Sequence, residues 1–477
     1  MPMEVAIVGG GICGLATALL LDADGHRVTV FEQDANPIPE DPRSAWDDWI
    51  RKGVGQFRQP HLLQPALRVV LEREFPAVEQ MLIDAGAIYL DLTQPLPASF
   101  RDQIEAFADH QFWCYSTRRP MAEWAFRKAV DKNPRIAIAR GAPITALVPG
   151  KTENGVLEVN GVVPKDGDPV RAELVVDASG RASRSPQWLA DIGAPAPIEE
   201  KSDSKFTYFT RYFTGTMPAI TTPLNVHYPT ISILVLPGDN DTWSVTLCVS
   251  AADRDLRALK HPEVWTRVVA AHPAQAGWLN GEPISDIVIM TGALDRYRRF
   301  VVDGKPVALG FVAVADAWAC TNPNAGRGIS TGVKHAVCLR DAIREAGEDR
   351  AALARIFDAK TESTVAPWFR DQAMVDMQRF SNVEAERLGT VVQRTISAKE
   401  AAYSKMLALM GSDATMYKAG LAYICGLNHL EEIFAQEDVA AKLKSTPAID
   451  PATMRGMFPG PTREELLHFA EADASIA

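Results

Sequence analysis

The stretch "GGGICG", residues 9–14, constrains this chain more than any other, because it sits between an apolar run and a helical pattern. Residues 5–8 suit a buried parallel strand, and residues 12–21 have the spacing of a helix packed on a sheet. Gly9, Gly11 and Gly14 fit G-x-G-x-x-G: one glycine for a tight turn, one for close approach of backbone to a pyrophosphate, one for helix–strand packing. Ile12 and Cys13 then open a helix whose free N–H groups point at the phosphates. A second strand, residues 27–31, runs into Glu32, which lies 23 residues after Gly9. A carboxylate there suits an adenosine ribose without a 2′-phosphate. The pattern predicts dinucleotide binding and leaves NAD and FAD both open.

A chain of 477 residues with 47% apolar and 23% charged residues can bury a large core and hold two or three interleaved units. With 49 basic against 60 acidic residues the net charge is -11, and no basic stripe is visible, so nucleic acid is not an expected partner. The six cysteines are dispersed without a C-x-x-C pair, which argues against a metal site and a disulfide framework. No apolar run reaches the roughly 20 residues of a spanning helix, and the first strand begins at once. The expectation is a cytoplasmic protein without a transmembrane segment.

Two further turns repeat the cofactor theme. A β-meander with turns at Asn154-Gly155 and Asp166-Gly167 ends in "ELVVDASG", residues 173–180. Downstream, residues 307–314 read as a buried strand, followed by Asp316, a Pro/Gly loop over 321–328 and a helix from about Ile329. Free N–H groups of Gly328, Ile329 and Ser330 at that helix start would stabilise negative charge on a reduced flavin.

Together these segments resemble the FAD-dependent monooxygenases of the para-hydroxybenzoate hydroxylase type over roughly the first 345 residues. The resemblance implies an α/β fold: a Rossmann-like FAD-binding domain (1–60, 112–185 and 291–365), interleaved with a mixed or antiparallel β-sheet substrate domain (61–111 and 186–290). A C-terminal helical region (366–477) completes it. It implies non-covalent FAD held by the glycine turn and Glu32, by Asp177 and Asp316, and by Pro323, Gly326, Arg327, Gly328 and Ile329. Gln56, Arg58 and Arg119 carry over as phosphate or ribityl contacts, with Arg119 preferred to its neighbour Arg118. Two positions depart from the family: Ala315 replaces the usual glycine before Asp316, and Trp318 stands where a histidine is common.

Residues 204–300 alternate and are rich in aromatic and β-branched types, as an antiparallel sheet requires. In the resembled family such a sheet roofs the substrate cavity, so Tyr208, Arg211, Tyr212, His227 and, from an earlier segment, His61 are candidate substrate contacts. The activity implied is insertion of one atom of O2 into an aromatic or alkene substrate through oxygen bound at flavin C4a. NADH or NADPH would serve as a transient electron donor, or a separate flavin reductase would take its place. An ene reductase of the isoprenoid-reducing kind shares such a site and is the alternative. The W-x-W-x-I-P stretch of flavin halogenases is absent; Trp46 and Trp49 give W-x-x-W-I instead. No motif names a catalytic acid or base.

Overall fold

The computed structural model describes residues 2–103, 110–203, 205–292, 294–392, 394–447 and 458–471; parts of the sheet and C-terminal regions named above fall outside these. Its centre is a parallel sheet. Strand β1 (Glu4–Val8) pairs with β2 (Arg27–Glu32) on one side and with Leu174–Asp177 on the other. Phe311–Ala313 and Ile136–Arg140 form the two edges, giving a five-stranded sheet. Parallel strands need crossovers that cover both faces, which is why "AIV" and "LVV" are unbroken apolar runs rather than alternating ones. Helix α1 (Ile12–Ala23) covers one face beside the helix Gly328–Ala346. The two approach closely at Gly332, where an added Cβ would lie 2.5 Å from the Cys13 sulfur.

The meander forms as expected from Ile144–Glu153, Val156–Pro164 and Val170–Arg171. Asn154 and Gly155 have φ of 49° and 76°, both positive as a two-residue hairpin turn needs. The expected strand over 307–314 is shorter. Gly310 turns to φ 70° and breaks the run, leaving Phe311–Ala313 as the sheet edge.

The second large sheet is antiparallel. Phe206–Thr214 pairs with Thr242–Ser250, which pairs with Ser232–Pro237, and short strands extend both sides. One face is packed by Phe209, Phe213 and Trp243 against Trp265 of the helix Pro262–Ala270. The other face carries Tyr208, Thr210 and Tyr212, all buried. A small sheet of Pro60–Leu63, Trp113–Arg118 and Ile88–Asp91 joins this roof to the parallel sheet.

Beyond the helix Ala366–Leu388 the chain builds a helical layer with its own core of Trp368, Tyr403, Met406, Met416 and Tyr423. The helix Arg463–Glu471 leaves that layer and packs on the roof, with Leu466 buried there and Arg463 paired with Asp253. Among the described residues no helix is long and apolar enough to cross a membrane.

Candidate functional site

The glycine turn is built as its spacing demands. Gly9 has φ 108°, and a Cβ there would lie 2.5 Å from the Ala178 carbonyl oxygen. At Gly14 an added Cβ would lie 2.0 Å from the Gly9 oxygen, so the helix can seat only without a side chain. Gly11 differs from both: a Cβ there meets nothing within 4 Å. It is the N-cap of α1, and no side chain caps that helix and no acid stands in its first turn. The first N–H groups of α1 therefore face open space with their partial positive charge uncompensated.

Glu32 reaches this turn from the end of β2. It is buried; one carboxylate oxygen accepts from Gly10 N–H at 3.0 Å and the other from Asp34 N–H at 2.9 Å. Arg51 ion-pairs with both Glu32 and Glu123, and Arg119 donates to Glu123 at 2.9 Å. Arg119 also donates to His61 Nε2 at 3.0 Å, while His61 Nδ1 donates to the Gln59 carbonyl at 2.8 Å. Burial pushes the His61 pKa down to about 3, so the ring is neutral and its Nε2 is an acceptor. The result is a buried chain of charges from the small sheet to the fingerprint. Arg127 closes it: its Nη1 would lie 2.9 Å from a Cβ on Gly10, and its Nε and Nη1 are buried without a hydrogen-bond partner.

Arg119, Glu123 and Arg127 share one face of the helix Arg119–Asp131 at intervals of four residues. That stripe of charge in a buried helix was visible in the sequence, and it is the signal that would have found Glu123 and Arg127. Arg51 carries no such local signal. Of the arginines that follow β2, Arg51 comes to Gly10, whereas Arg58 stacks on Trp46 at 4.7 Å and donates to the Trp49 carbonyl at 3.2 Å. Gln56 lies in the turn before it and makes no side-chain hydrogen bond among the described residues. Arg118 is engaged elsewhere: Asp239 of the roof holds its guanidinium and its N–H.

Asp177 is fully buried and organises its own turn, accepting from Ser179 N–H at 2.9 Å and from the Ser183 hydroxyl at 2.5 Å. It acts through that turn, which supplies the carbonyl against Gly9. Asp316 is partly open, and its carboxylate lies 3.3 Å from Arg181 Nε; Arg181 also donates to the Thr321 carbonyl. Cys13 sits between Asp316 and Arg119. Burial first, and Asp316 second, raise its pKa to about 12, with Arg119 opposing, which keeps the sulfur in its thiol form.

The Pro/Gly loop forms a short turn over Pro323–Ala325, with Gly326 at φ 63°, and leads into the helix Gly328–Ala346. This helix start also lacks a side-chain cap and a first-turn acid. A Cβ on Gly328 would meet nothing within 4 Å, and the Ser330 hydroxyl is buried without a partner. Arg327 points away: it donates to Gln372 at 3.2 Å and to the Tyr423 carbonyl at 2.9 Å, with its guanidinium 4.0 Å from the Tyr423 ring. A cleft partly open to solvent runs past Asp316, Trp318, Thr321, Gly328 and Gln372.

The substrate candidates separate by the alternation of the roof strand. Tyr208 faces inward and donates to Asn322 of the Pro/Gly loop. Tyr212 is also inward, 4.6 Å from the Trp46 ring, with its hydroxyl unpartnered. Arg211 lies on the opposite face, 3.4 Å from the Ser285 carbonyl and from Thr266 of the covering helix, so it is not brought to the cleft. His227 is exposed on an edge strand and bonds Ser232 at 2.8 Å. Both depart from the expected lining because facing is set by what packs on the sheet, not by residue type.

Residues 4–40 match the family model described as FAD dependent oxidoreductase. That match spans the glycine turn and Glu32, the segment that the end of the parallel sheet presents. Among relatives it is 26% identical to Protein Rv3254 of Mycobacterium tuberculosis over 415 residues, 81% of this chain and 82% of that one. It is 23% identical to 3-demethoxyubiquinol 3-hydroxylase of Escherichia coli over 364 residues, 72% of this chain and 80% of that one. Solved structures of like fold include pqsL, a probable FAD-dependent monooxygenase from Pseudomonas aeruginosa: TM-score 0.57, 19% identity, 80% of this chain and 100% of that chain. Another is the flavin-dependent brominase Bmp2: TM-score 0.60, 16% identity, 93% of this chain and 98% of that chain.

Proposed function

We propose that this chain is an FAD-dependent monooxygenase that transfers one oxygen atom of O2 to a small organic substrate, aromatic or alkene. The observation that carries the reading is the pair of uncapped, glycine-led helix starts, Gly11–Ile12 and Gly328–Ile329, on two helices that pack together and meet where Gly332 approaches Cys13. Two such termini, with the unpartnered Nε and Nη1 of Arg127 and the Ser330 hydroxyl, form a donor set that a flavin dinucleotide would satisfy. The N–H groups of Ile12, Cys13 and Gly14 would take the pyrophosphate, Glu32 the ribose, and Arg119 and Arg127 the negative charge between them. Asp316 would hold the ribityl hydroxyls, and Gly328, Ile329 and Ser330 would donate to the ring. When bound, FAD supplies hydride acceptance and reaction with O2; the protein orients it and excludes water. Electrons would come from NADH or NADPH visiting the site, or from a separate flavin reductase. The hydroxylase name among the relatives supports oxygen transfer, and the absent W-x-W-x-I-P stretch argues against halogenation; the solved structures of like fold include both a monooxygenase and a brominase and do not decide between them.

The test is to release the bound cofactor by heat, then to follow flavin reduction anaerobically with NADH and NADPH, and finally to admit 18O2 with aromatic and polyene substrates. Yellow protein that places one 18O atom in product supports the reading. Reduction of a polyene without O2 uptake would move the assignment to an ene reductase, and bound flavin that no donor reduces would leave a binding protein.

A further inference from the structure

Ala315, immediately before Asp316, has φ 52°, a left-handed backbone that glycine adopts freely and alanine only at a steric cost. Its N–H donates to Nδ1 of His335 at 3.1 Å. His335 is wholly buried in the helix Gly328–Ala346, stacked on Phe357 with ring centroids 4.8 Å apart, and edge-on to Trp318 at 4.8 Å. Its Nε2 lies 3.0 Å from the Thr361 hydroxyl oxygen, and that hydroxyl donates to the Phe357 carbonyl at 2.7 Å. The Thr361 proton is thus committed, which makes Nε2 of His335 the protonated nitrogen and Nδ1 the acceptor. Burial pushes the His335 pKa down to about 3, so this tautomer persists at any working pH.

We propose that His335 is a positioning residue of the cofactor site: its imidazole pins Ala315 in the left-handed turn, and so presents Asp316 to the ribityl chain of FAD. The inference rests on the FAD reading above. It follows from a local mismatch. The resembled family has glycine before this aspartate, whereas this chain has alanine and supplies a buried acceptor aimed at its N–H. The same ring holds Trp318, a wall of the cleft, at its edge.

The experiment titrates FAD into apoprotein and reads flavin fluorescence, so it needs no turnover. Wild type is the control: failure to take up FAD would sink the cofactor reading itself. His335→Leu removes the acceptor and should weaken FAD binding about tenfold, the loss expected for one buried hydrogen bond to a strained turn. His335→Asn, which keeps an acceptor near Nδ1, should lose less. The decisive variant is His335→Leu combined with Ala315→Gly. Glycine holds the turn unaided, so affinity should return to within about threefold of wild type. Wild-type affinity in His335→Leu, or no rescue by Ala315→Gly, overturns the proposal. So does a leucine variant that is insoluble in both backgrounds, since the histidine would then be only core.

Discussion

At the scale of single residues, the three fingerprint glycines are not equivalent, and the difference can be measured. Gly14 is excluded from substitution by the fold, whereas a Cβ on Gly11 meets no protein atom, so that on the proposed FAD reading only the ligand would exclude it. Gly14→Ala forces a Cβ onto the Gly9 carbonyl and should cost about 1–3 kcal/mol of stability or more, read as a lowered denaturation midpoint. Gly11→Ala should leave that midpoint unchanged, yet weaken FAD binding by at least about tenfold, because its methyl occupies the space open to the pyrophosphate. Equal effects of the two on stability would contradict this division. Glu32 is a second case. Its carboxylate already serves Gly10, Asp34 and Arg51, and a carboxylate has about four acceptor positions, which leaves one for a ribose hydroxyl. Glu32→Gln should weaken FAD binding roughly ten- to a hundredfold, since a charge-assisted contact is worth about 1.5–3 kcal/mol. Unchanged affinity by fluorescence titration would assign Glu32 to the buried ion network alone.

At the scale of elements, the C-terminal end of the helix Ala414–Ile424 shows what the helical layer does. Its free carbonyls are taken one after another by the cofactor half of the chain. Arg327 donates to Tyr423 O at 2.9 Å, Gln64 to Ile424 O at 3.1 Å, Ala66 N–H to Cys425 O at 3.2 Å, and Lys334 to Gly426 O at 2.9 Å. Gln64 also donates to Ala325 O at 2.9 Å, which ties the Pro/Gly loop to the same point. Cations at a helix C-terminus are favourable, and the orphan carbonyls of that end are satisfied in full. The layer therefore acts as a clamp on the Pro/Gly loop and the helix that follows it. Arg327→Met should cost about 2–4 kcal/mol and speed amide exchange selectively in 414–426; exchange unchanged there would refute the clamp. The helix Arg350–Thr364 carries an opposite kind of group. Burial first, then the Glu362 carboxylate, raise the Asp358 pKa to about 6, with Arg299 opposing. The folded value lies above the unfolded one, so Asp358 favours folding below about pH 4 and loses that contribution as pH rises through 6. After discounting for partial exposure, Asp358→Asn should stabilise by roughly 1–2 kcal/mol at pH 8 and by nothing near pH 4, as read by urea unfolding at the two pH values.

At the scale of the whole molecule, what was legible in the sequence is what local physics decides. The strand, glycine turn, helix and acid of residues 4–32 lie in chain order, and each has a short-range cause, so their geometry agrees with their spacing. The alternation of the roof strand was readable too, but not which face is inner: Tyr208 and Arg211 are both plausible contacts until the helix Pro262–Ala270 covers the Arg211 side. Arg51, which meets Glu32 and Glu123 across 19 and 72 residues of chain, could not be read, because nothing near it in sequence records its partners. The same holds for Asp239, the joint between roof and cofactor halves. It is fully buried at the turn between two roof strands, with Arg118 N–H at 2.6 Å, Arg118 Nη2 at 2.6 Å and the Thr117 hydroxyl at 3.0 Å. Burial alone would raise its pKa, but the Arg118 hydrogen bonds and charge outweigh this and hold it below the ordinary carboxylate value. Its contribution is therefore present above about pH 4 and lost as pH falls through the depressed folded value. Asp239→Asn removes the charge that balances the buried Arg118 guanidinium, leaving it a single neutral amide oxygen and the face of Trp46, 4.8 Å away, and should cost about 3–5 kcal/mol between pH 6 and 8, with a smaller gap in acid. Arg119 follows Arg118 directly at the start of its helix, so the loosened joint should also weaken FAD binding in the same variant. Fluorescence titration of FAD beside urea unfolding checks both effects. A variant that loses stability and keeps full FAD affinity would mean that the roof docks on the cofactor half without setting its geometry.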